Sequence, residues 1–159
     1  MNNNQAYNLN DLESTKEKDY LQERVDDQIN WYDKKSGKMQ KKYKFLKRIT
    51  IISSGLIPII SLSNLQFRYI STELIVSSLG TLIAITESFS ALSKYNENWT
   101  RYRNICETLK SEKYMYLNQS GVYSEKNDVF AYFVERIETI ISQENINWAS
   151  LNKESKKEG

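Results

Sequence analysis

The sequence predicts an all-α protein built as a two-span transmembrane helical hairpin with a cytoplasmic helical bundle. Three observations lead to this prediction. Two apolar segments occupy the middle of the chain, a strongly basic run precedes the first of them, and the 159 residues include only one proline and five glycines. So few turn-forming residues leave little room for a β architecture. The length allows one ordinary domain with its own core.

The composition also limits the chemistry that the chain can perform. Histidine is absent and Cys106 is the single cysteine, which excludes a Cys/His zinc site, a Ser-His-Asp triad, a Cys-His dyad and an intramolecular disulfide within one chain. Asp26 and Asp27 are adjacent and diverge by ~100° on a helix, Glu107 and Glu112 do not share a helix face, and the glycines are isolated. We therefore expect no enzyme, no catalytic residue, no metal site and no cofactor.

The N-terminal third is predicted to be a short tail followed by a helix. Residues 1–13 lack a basic start followed by an apolar run, so we expect no cleavable signal peptide and a disordered tail. Ser14 and Glu17 form an S-x-x-E capping box, which predicts that a cytoplasmic amphipathic helix begins there and extends over residues 14–48, with Gly37 as a possible interruption. The apolar stripe of this helix comprises Tyr20, Leu21, Val25, Ile29 and Tyr32.

The basic run KKSGKMQKKYKFLKR, residues 34–48, contains eight basic and no acidic residues. A run of this kind next to an apolar segment is typical of the cytoplasmic side of a membrane. Its interleaved Tyr43 and Phe45 also suit nucleic acid, but its position beside a span favours anionic membrane lipids, and no nucleic acid is expected as a partner. The predicted membrane-surface residues are Lys41, Lys42, Lys44, Lys47 and Arg48.

The first predicted span is residues 49–67, a stretch of 19 residues without a charge. A helix needs ~20 residues to cross a bilayer. Pro58 removes one backbone hydrogen bond, and we expect a kink there with the Ser53 and Ser54 hydroxyls satisfying the freed carbonyl. Residues 68–73 form the predicted short outer loop, whose only charges are Arg68 and Glu73.

The second predicted span, LIVSSLGTLIAITESFSALS, covers residues 74–93 and contains one carboxylate, Glu87. At ~100° per residue, small and acidic side chains fall on one face and bulky ones on the other. Close packing of membrane helices favours small residues at an interface. The predicted pore-lining or oligomer face comprises Glu73, Ser77, Gly80, Ala84, Glu87 and Ala91.

Three states are open for Glu87. It is protonated and hydrogen-bonded, paired with a cation such as Lys94, or exposed to an aqueous lumen that several chains enclose. A structural hydrogen bond and a pore-lining role are therefore both compatible with the sequence.

Aromatic residues support the membrane placement, because they lie near the ends of the two spans, where amphipathic rings favour the head-group zone. Those residues are Tyr43, Phe45, Phe67, Tyr69, Tyr95 and Trp99. Together with the basic run they predict a multi-pass protein of the inner or plasma membrane with both termini in the cytoplasm. The alternative is a soluble helical bundle in which both apolar segments are core helices.

Residues 94–147 are predicted to form cytoplasmic helices. Trp99, Tyr102, Cys106 and Leu109 recur at intervals of three and four, and the turn sequence NQSGVYS at residues 118–124 separates them from a last helix. Ser124 is the predicted N-cap of that helix, whose apolar stripe is wide enough for a core face. Residues 148–159 are predicted to be a charged tail.

Three segments together resemble a known family. They are YLQERVDDQINWYDKKSGKMQKKY at residues 20–43, a span containing LIP, and NWTRYRNICETLKSEKYMYLNQSGVYS at residues 98–124. They resemble a bacterial two-transmembrane family of unknown function allied to the SLATT domains, the SMODS and SLOG-associating two-transmembrane effector domains. The most specific part is the series W-x-x-Y-R, E-x-L-K-x-E and G-x-Y, which here is Trp99, Tyr102, Arg103, Glu107, Leu109, Lys110, Glu112, Gly121 and Tyr123.

The resemblance implies a membrane effector that forms pores when a nucleotide-signalling or nucleotide-sensing partner is triggered. No sensor domain is evident in this chain, which leaves the trigger open. A purely structural role for the motif residues is the alternative, since Arg103 and Glu107 are four apart on one helix and are placed to form a surface pair. We expect a homo-oligomeric, pore-forming or ion-conducting membrane effector, or else a non-conducting scaffold whose cytoplasmic helices recruit a soluble partner.

Overall fold

The computed structural model describes the backbone of residues 9–62 and 71–155, and the side chains of residues 14–62 and 71–146. Within these ranges the chain is helical and contains no β-strand, which confirms the predicted all-α class. The elements are α1 (Leu9–Asp19), a π-helical segment (Tyr20–Asp26), α2 (Asp27–Leu62), α3 (Thr72–Leu92), α4 (Tyr95–Leu117), a short 3₁₀ helix (Gly121–Tyr123) and α5 (Val129–Ser155).

Helix α2 passes through both residues that were expected to disturb it. Gly37 does not interrupt the helix, and a Cβ placed there meets nothing within 4 Å. Pro58 also lies inside α2. The hydroxyl of Ser54 donates to the carbonyl of Ile51 at 3.0 Å, so it does not cap the carbonyl that Pro58 leaves free, which belongs to Ser54 itself.

Several helix boundaries differ from the sequence prediction. Helix α1 begins at Leu9, so residues 9–13 are helical and Ser14 is not a helix start, because its capping box is only a local preference inside a continuing helical run. Helix α5 begins at Val129, where the Asp128 carboxylate accepts the Ala131 N–H at 2.9 Å and acts as the cap predicted for Ser124. The Ser124 hydroxyl donates instead to the Gly121 carbonyl.

The C-terminal tail also differs, since the backbone stays helical through Ser155 although a charged tail was predicted from residue 148. Residues 1–8, 63–70 and 156–159 lie outside the described residues. The end of the first predicted span and the first half of the predicted outer loop, residues 68–70, therefore fall outside them as well.

Helix α3 matches the second predicted span closely. Ser71 is its N-cap and accepts the Leu74 N–H at 3.3 Å. The helix ends at Leu92, and Lys94 then has a φ of 46°, in the left-handed region that non-glycine residues seldom adopt. The backbone is therefore interrupted between α3 and α4 at Lys94.

The chain divides into two compact units, Lys34–Tyr102 and the remainder, which combines the segment ending at Asp33 with the segment beginning at Arg103. We call the discontinuous one the bundle unit and Lys34–Tyr102 the hairpin unit. The bundle unit contains the apolar core, which consists of Val25, Ile29, Tyr32, Cys106, Leu109, Tyr123, Phe133, Ile137 and Ile141. All of them except Tyr123, which lies in the turn before α5, belong to helical faces that the spacing of apolar residues predicts.

Candidate functional site

Two helices carry long apolar stretches that the chain leaves uncovered. The helical run that ends at Leu62 and the one that begins at Thr72 each contain an 18-residue window with a mean hydropathy of 1.5, of which only 6% is buried. Leu62 is 85% exposed and Leu92 is 83% exposed. By length and composition both helices can cross a membrane. The two apolar windows do not belong to the core of this chain, because only 6% of each is buried.

Polar side chains connect α2 to α3 inside the hairpin unit. We call Lys47, Thr50, Thr86 and Glu87 the polar seam. The Lys47 ammonium donates to both carboxylate oxygens of Glu87, at 2.9 and 3.1 Å. The Oγ1 atoms of Thr50 and Thr86 lie 3.2 Å apart. The seam joins the two helices with directional bonds in a segment otherwise rich in apolar residues.

The hydroxyl of Thr86 also satisfies its own helix. It lies 2.9 Å from the carbonyl of Leu82, and the Thr50 hydroxyl lies 3.3 Å from the carbonyl of Leu46 on its own helix, so either hydroxyl can serve as the donor in the contact between them. Ser53 and Thr86 are buried, at 5% and 7% exposure. The Thr50 and Thr86 hydroxyls each have a carbonyl acceptor on their own helix, so these two hydroxyls are satisfied.

Glu87 is paired with Lys47, forty positions earlier in the chain, rather than with Lys94. Lys94 follows the end of α3 at the backbone interruption, whereas Lys47 lies opposite Glu87 on α2. An ionised carboxylate with its own counter-ion is less costly in an apolar setting than a lone one. The missed signal was that Lys47 precedes the first apolar segment and Glu87 lies near the end of the second, so that a hairpin of the two segments brings these residues to the same level.

The predicted oligomer face of α3 lies mostly on the open surface of the chain. Glu73, Ser77, Gly80, Ala84 and Ala91 are exposed, whereas Glu87 is only partly exposed. A Cβ placed on Gly80 meets nothing within 4 Å. The face therefore separates into an uncovered strip of small residues and a carboxylate that belongs to the polar seam.

Lysines and aromatic rings meet beyond the seam, in the same unit. Tyr43 on α2 stacks on Trp99 of α4 with ring centroids 6.3 Å apart. The Lys42 ammonium lies 5.3 Å from the Tyr95 ring centroid, and the Lys44 ammonium lies 6.0 Å from that of Trp99. We call Tyr43, Tyr95 and Trp99 the aromatic platform. Of the predicted membrane-surface residues, Lys41, Lys42, Lys44 and Arg48 are exposed, and Lys47 belongs to the seam.

In the bundle unit, Glu112 is the centre of a buried network. It is 3% exposed, receives two hydrogen bonds from the Arg136 guanidinium, one of them from Nε at 2.8 Å, and accepts the Tyr123 hydroxyl at 2.5 Å. The hydrogen bonds from Arg136 hold the pKa of Glu112 below its ordinary value. Gly121 has a φ of 61°, a conformation that glycine adopts readily, and it begins the turn that carries Tyr123. The E-x-L-K-x-E and G-x-Y motifs thus meet at one ion pair.

The other motif residues are divided between the core and the surface. Leu109 is fully buried, and Tyr102 is half-buried in the hairpin unit. Arg103 pairs with Glu107 at 2.9 Å, as its spacing predicts, and also with Asp33 at 3.2 Å. Lys110 joins Glu107 at 3.3 Å. Of these contacts, the Arg103–Asp33 pair links α4 to α2, whereas the two pairs with Glu107 lie within α4.

Sequence reasoning missed a second network in the bundle unit. Glu138 on α5 receives hydrogen bonds from the Tyr20 hydroxyl at 3.0 Å and from Arg24 at 2.9 and 2.8 Å. Tyr20 and Arg24 belong to the π-helical segment, and Lys113 also reaches it by bonding Asp26 at 2.6 Å. The spacing of residues along the sequence could not predict these bonds, because Arg24 and Glu138 are 114 positions apart.

The single thiol lies within the core of the bundle unit. Cys106 is fully buried and donates to the Ile29 carbonyl at 3.6 Å, and burial raises the pKa of its thiol. Among the side chains of residues 14–62 and 71–146, no group of three metal-ligating residues is placed to hold a metal ion. The candidate functional features of the described residues are therefore the polar seam, the aromatic platform and the ion pairs of Glu112 and Glu138.

These features define a class of all-α protein with two long apolar helices joined by a polar seam. The chain belongs to the family described as "Protein of unknown function (DUF4231)", whose model matches residues 27–130. The match includes the whole of α2, α3 and α4, and thus the seam, the platform and the motif series. No curated protein and no solved structure matches the chain.

Proposed function

We propose that the chain is a two-span integral membrane protein that assembles in several copies and acts as an ion-conducting effector. The observation that carries the proposal is the pair of apolar helices that the chain leaves almost unburied. Soluble monomers rarely expose a contiguous apolar patch of more than a few hundred Å². Lipid contact on the outer faces, with polar residues gathered in the seam, satisfies both kinds of side chain.

The proposed orientation places both termini in the cytoplasm of a cell with an inner or plasma membrane. It rests on the eight basic residues of the run at residues 34–48, which precede the first apolar stretch. In this orientation the basic run faces the cytoplasmic head groups of membrane lipids, and the bundle unit lies in the cytoplasm.

Several copies are needed for conduction, because two helices cannot enclose an aqueous path. The uncovered strip of small residues on α3 permits close backbone approach by a second copy, particularly at Gly80 and Ala84. From the resemblance of its motif series, we further propose an alliance of this family with the SLATT effector domains. That alliance implies a nucleotide-signalling or sensor protein as the trigger.

The non-conducting scaffold is the second candidate, and one observation favours it. Glu87 is already neutralised by Lys47 of the same chain, so it presents no free negative charge to a lumen while the pair is intact. In the scaffold, the seam only holds the hairpin together, and the bundle unit recruits a soluble partner.

Labelling of single cysteines in intact cells tests the membrane placement that both candidates require. Asn10→Cys, Ile70→Cys and Ser155→Cys are each introduced into a Cys106→Ser background. An impermeant maleimide should label only position 70. Wild-type protein is the control, because its buried Cys106 should react only after denaturation. External labelling at position 10 or 155, or none at 70, contradicts the topology.

Planar-bilayer recording of the purified oligomer separates the two functions. The effector predicts current in the presence of its trigger, and candidate nucleotides and nucleotide-binding proteins are added in turn. The scaffold predicts an inserted oligomer that recruits its soluble partner and carries no current.

A further inference from the structure

We propose that Lys42 and Lys44, held over the Tyr95 and Trp99 rings, bind the phosphate of an anionic phospholipid head group. This proposal rests on the proposed function, because it requires the two-span membrane placement. It assigns a partner to one side of the hairpin unit and selects two lysines from the basic run.

Contacts with aromatic rings distinguish these two lysines from the other basic residues of the run. Their ammonium groups lie 5.3 and 6.0 Å from the ring centroids of Tyr95 and Trp99. Lys47, by contrast, is occupied by Glu87. Among the side chains of residues 14–62 and 71–146, no carboxylate forms an ion pair with Lys42 or Lys44. The pair is thus positioned by rings and keeps its charge available.

The nearest acidic residue along α4 does not neutralise the site. Glu97 is exposed and lies two positions from both Tyr95 and Trp99. Two positions correspond to ~200° around a helix, so its side chain leaves on the side away from the two rings. The side of α4 that carries the two rings therefore turns no carboxylate of that helix toward the two lysines of α2.

This combination matches a phosphodiester at the membrane surface. An ammonium over a ring face keeps N–H donors for an anionic oxygen, and Tyr and Trp rings favour the head-group zone. A zwitterionic head group adds an ammonium that the lysines repel, so an anionic head group is preferred. Each juxtamembrane lysine strengthens attraction to an anionic surface by roughly fivefold.

Tryptophan quenching by brominated lipids tests the proposal on the full-length protein. The chain has three tryptophans, so Trp31→Phe and Trp148→Phe leave Trp99 as the only reporter. The protein is reconstituted in mixed phosphatidylcholine and phosphatidylglycerol vesicles in which one lipid or the other carries bromine near its head group. The ratio of the two quenching constants gives the relative affinity for the anionic lipid.

We expect phosphatidylglycerol to be preferred, and the combined K42Q/K44Q substitution to lower that preference by roughly fivefold per lysine. K42R/K44R should retain it, because arginine keeps the charge and also stacks on rings. K18Q/K126Q is the matched control, since it removes the same charge and Lys126 lies 4.3 Å from the Tyr132 ring centroid, outside the proposed site. The control should keep the preference.

The other possible results distinguish failure of the lipid site from failure of the membrane placement on which it rests. Equal quenching by both lipids overturns the lipid site and leaves the membrane placement intact. Quenching by neither lipid overturns the membrane placement and the site together. Loss of preference in both K42Q/K44Q and K18Q/K126Q indicates general surface charge and overturns the site. If inorganic phosphate at constant ionic strength abolishes the preference, the lysines bind free phosphate and the lipid assignment is wrong.

Discussion

Arg136→Met should destabilise the protein more than Glu112→Gln does, although both substitutions break the same ion pair. The side chain of Glu112 is only 5% exposed, whereas that of Arg136 is 35% exposed. Without Arg136, a buried carboxylate retains only the Tyr123 hydroxyl as a hydrogen-bond donor. Without the Glu112 charge, the guanidinium still reaches water. Because Glu112 is buried and Arg136 is partly exposed, losing Arg136 should lower the free energy of unfolding more than losing the Glu112 charge.

The magnitudes follow from that difference in exposure. Removing one partner of a buried ion pair costs about 3–5 kcal/mol, and we place Arg136→Met near 3 because the Tyr123 hydrogen bond survives. Glu112→Gln should cost about 1–2 kcal/mol, since glutamine keeps the shape and the interaction with a one-third exposed Arg136 is partly screened. For a chain of this size each kcal/mol lowers the unfolding midpoint by roughly 2–4 °C.

Thermal unfolding of the full-length protein in one detergent, followed by far-UV circular dichroism, measures these shifts. Arg103→Met is the matched control, because Arg103 is 50% exposed in its pairs with Asp33 and Glu107 and its loss should cost less than about 1 kcal/mol. The double variant E112Q/R136M should be more stable than Arg136→Met alone, since it leaves no buried charge. A Glu112→Gln shift equal to or larger than that of Arg136→Met refutes the reasoning.

The same network gives the stability a defined dependence on pH. The pKa of Glu112 in the folded protein lies below its ordinary 4.5, chiefly because Arg136 donates to it, and Arg24 lowers the pKa of Glu138 in the same way. The stabilisation is therefore present above pH 4.5 and is lost as the pH falls through the folded pKa. Unfolding midpoints measured at decreasing pH should fall less steeply in Glu112→Gln than in wild type; parallel curves would contradict this.

Two further predictions concern the hairpin unit. Replacing Gly80 and Ala84 by leucine should disrupt the oligomer, because both lie on the uncovered strip of α3, and an unchanged mass in nanodiscs argues against this interface. Glu87→Gln should preserve assembly and weaken cation selectivity if the carboxylates form an acidic ring in the conducting state, whereas Glu87→Lys should repel cations or prevent assembly. A robust current with the same reversal potential in wild type and both Glu87 variants rules out the ring, and the carboxylate is then a structural partner of Lys47.

The sequence by itself determined the local features of this protein. The scarcity of proline and glycine and the helical spacing of apolar residues predicted the all-α class. They also predicted core positions such as Val25, Ile29 and Leu109, because periodicity records which side of a helix is apolar. The Arg103–Glu107 pair was predictable for the same reason, since its partners are four residues apart on one helix.

Helix ends were less predictable, because capping signals are short and recur. The S-x-x-E motif at Ser14 lies inside a helix, and Asp128 rather than Ser124 caps α5. Each candidate cap is locally reasonable, and the choice between them depends on where the following helix packs.

Only the tertiary structure decided which charged groups meet. Lys47 and Glu87 are 40 positions apart, and Glu112 and Arg136 are 24 apart. Such pairs depend on the register and the rotation of one helix against another, which packing sets and no local spacing encodes. The sequence therefore identified Glu87 as an unusual carboxylate in an apolar segment, and the packing of α2 against α3 supplied Lys47 as its counter-ion.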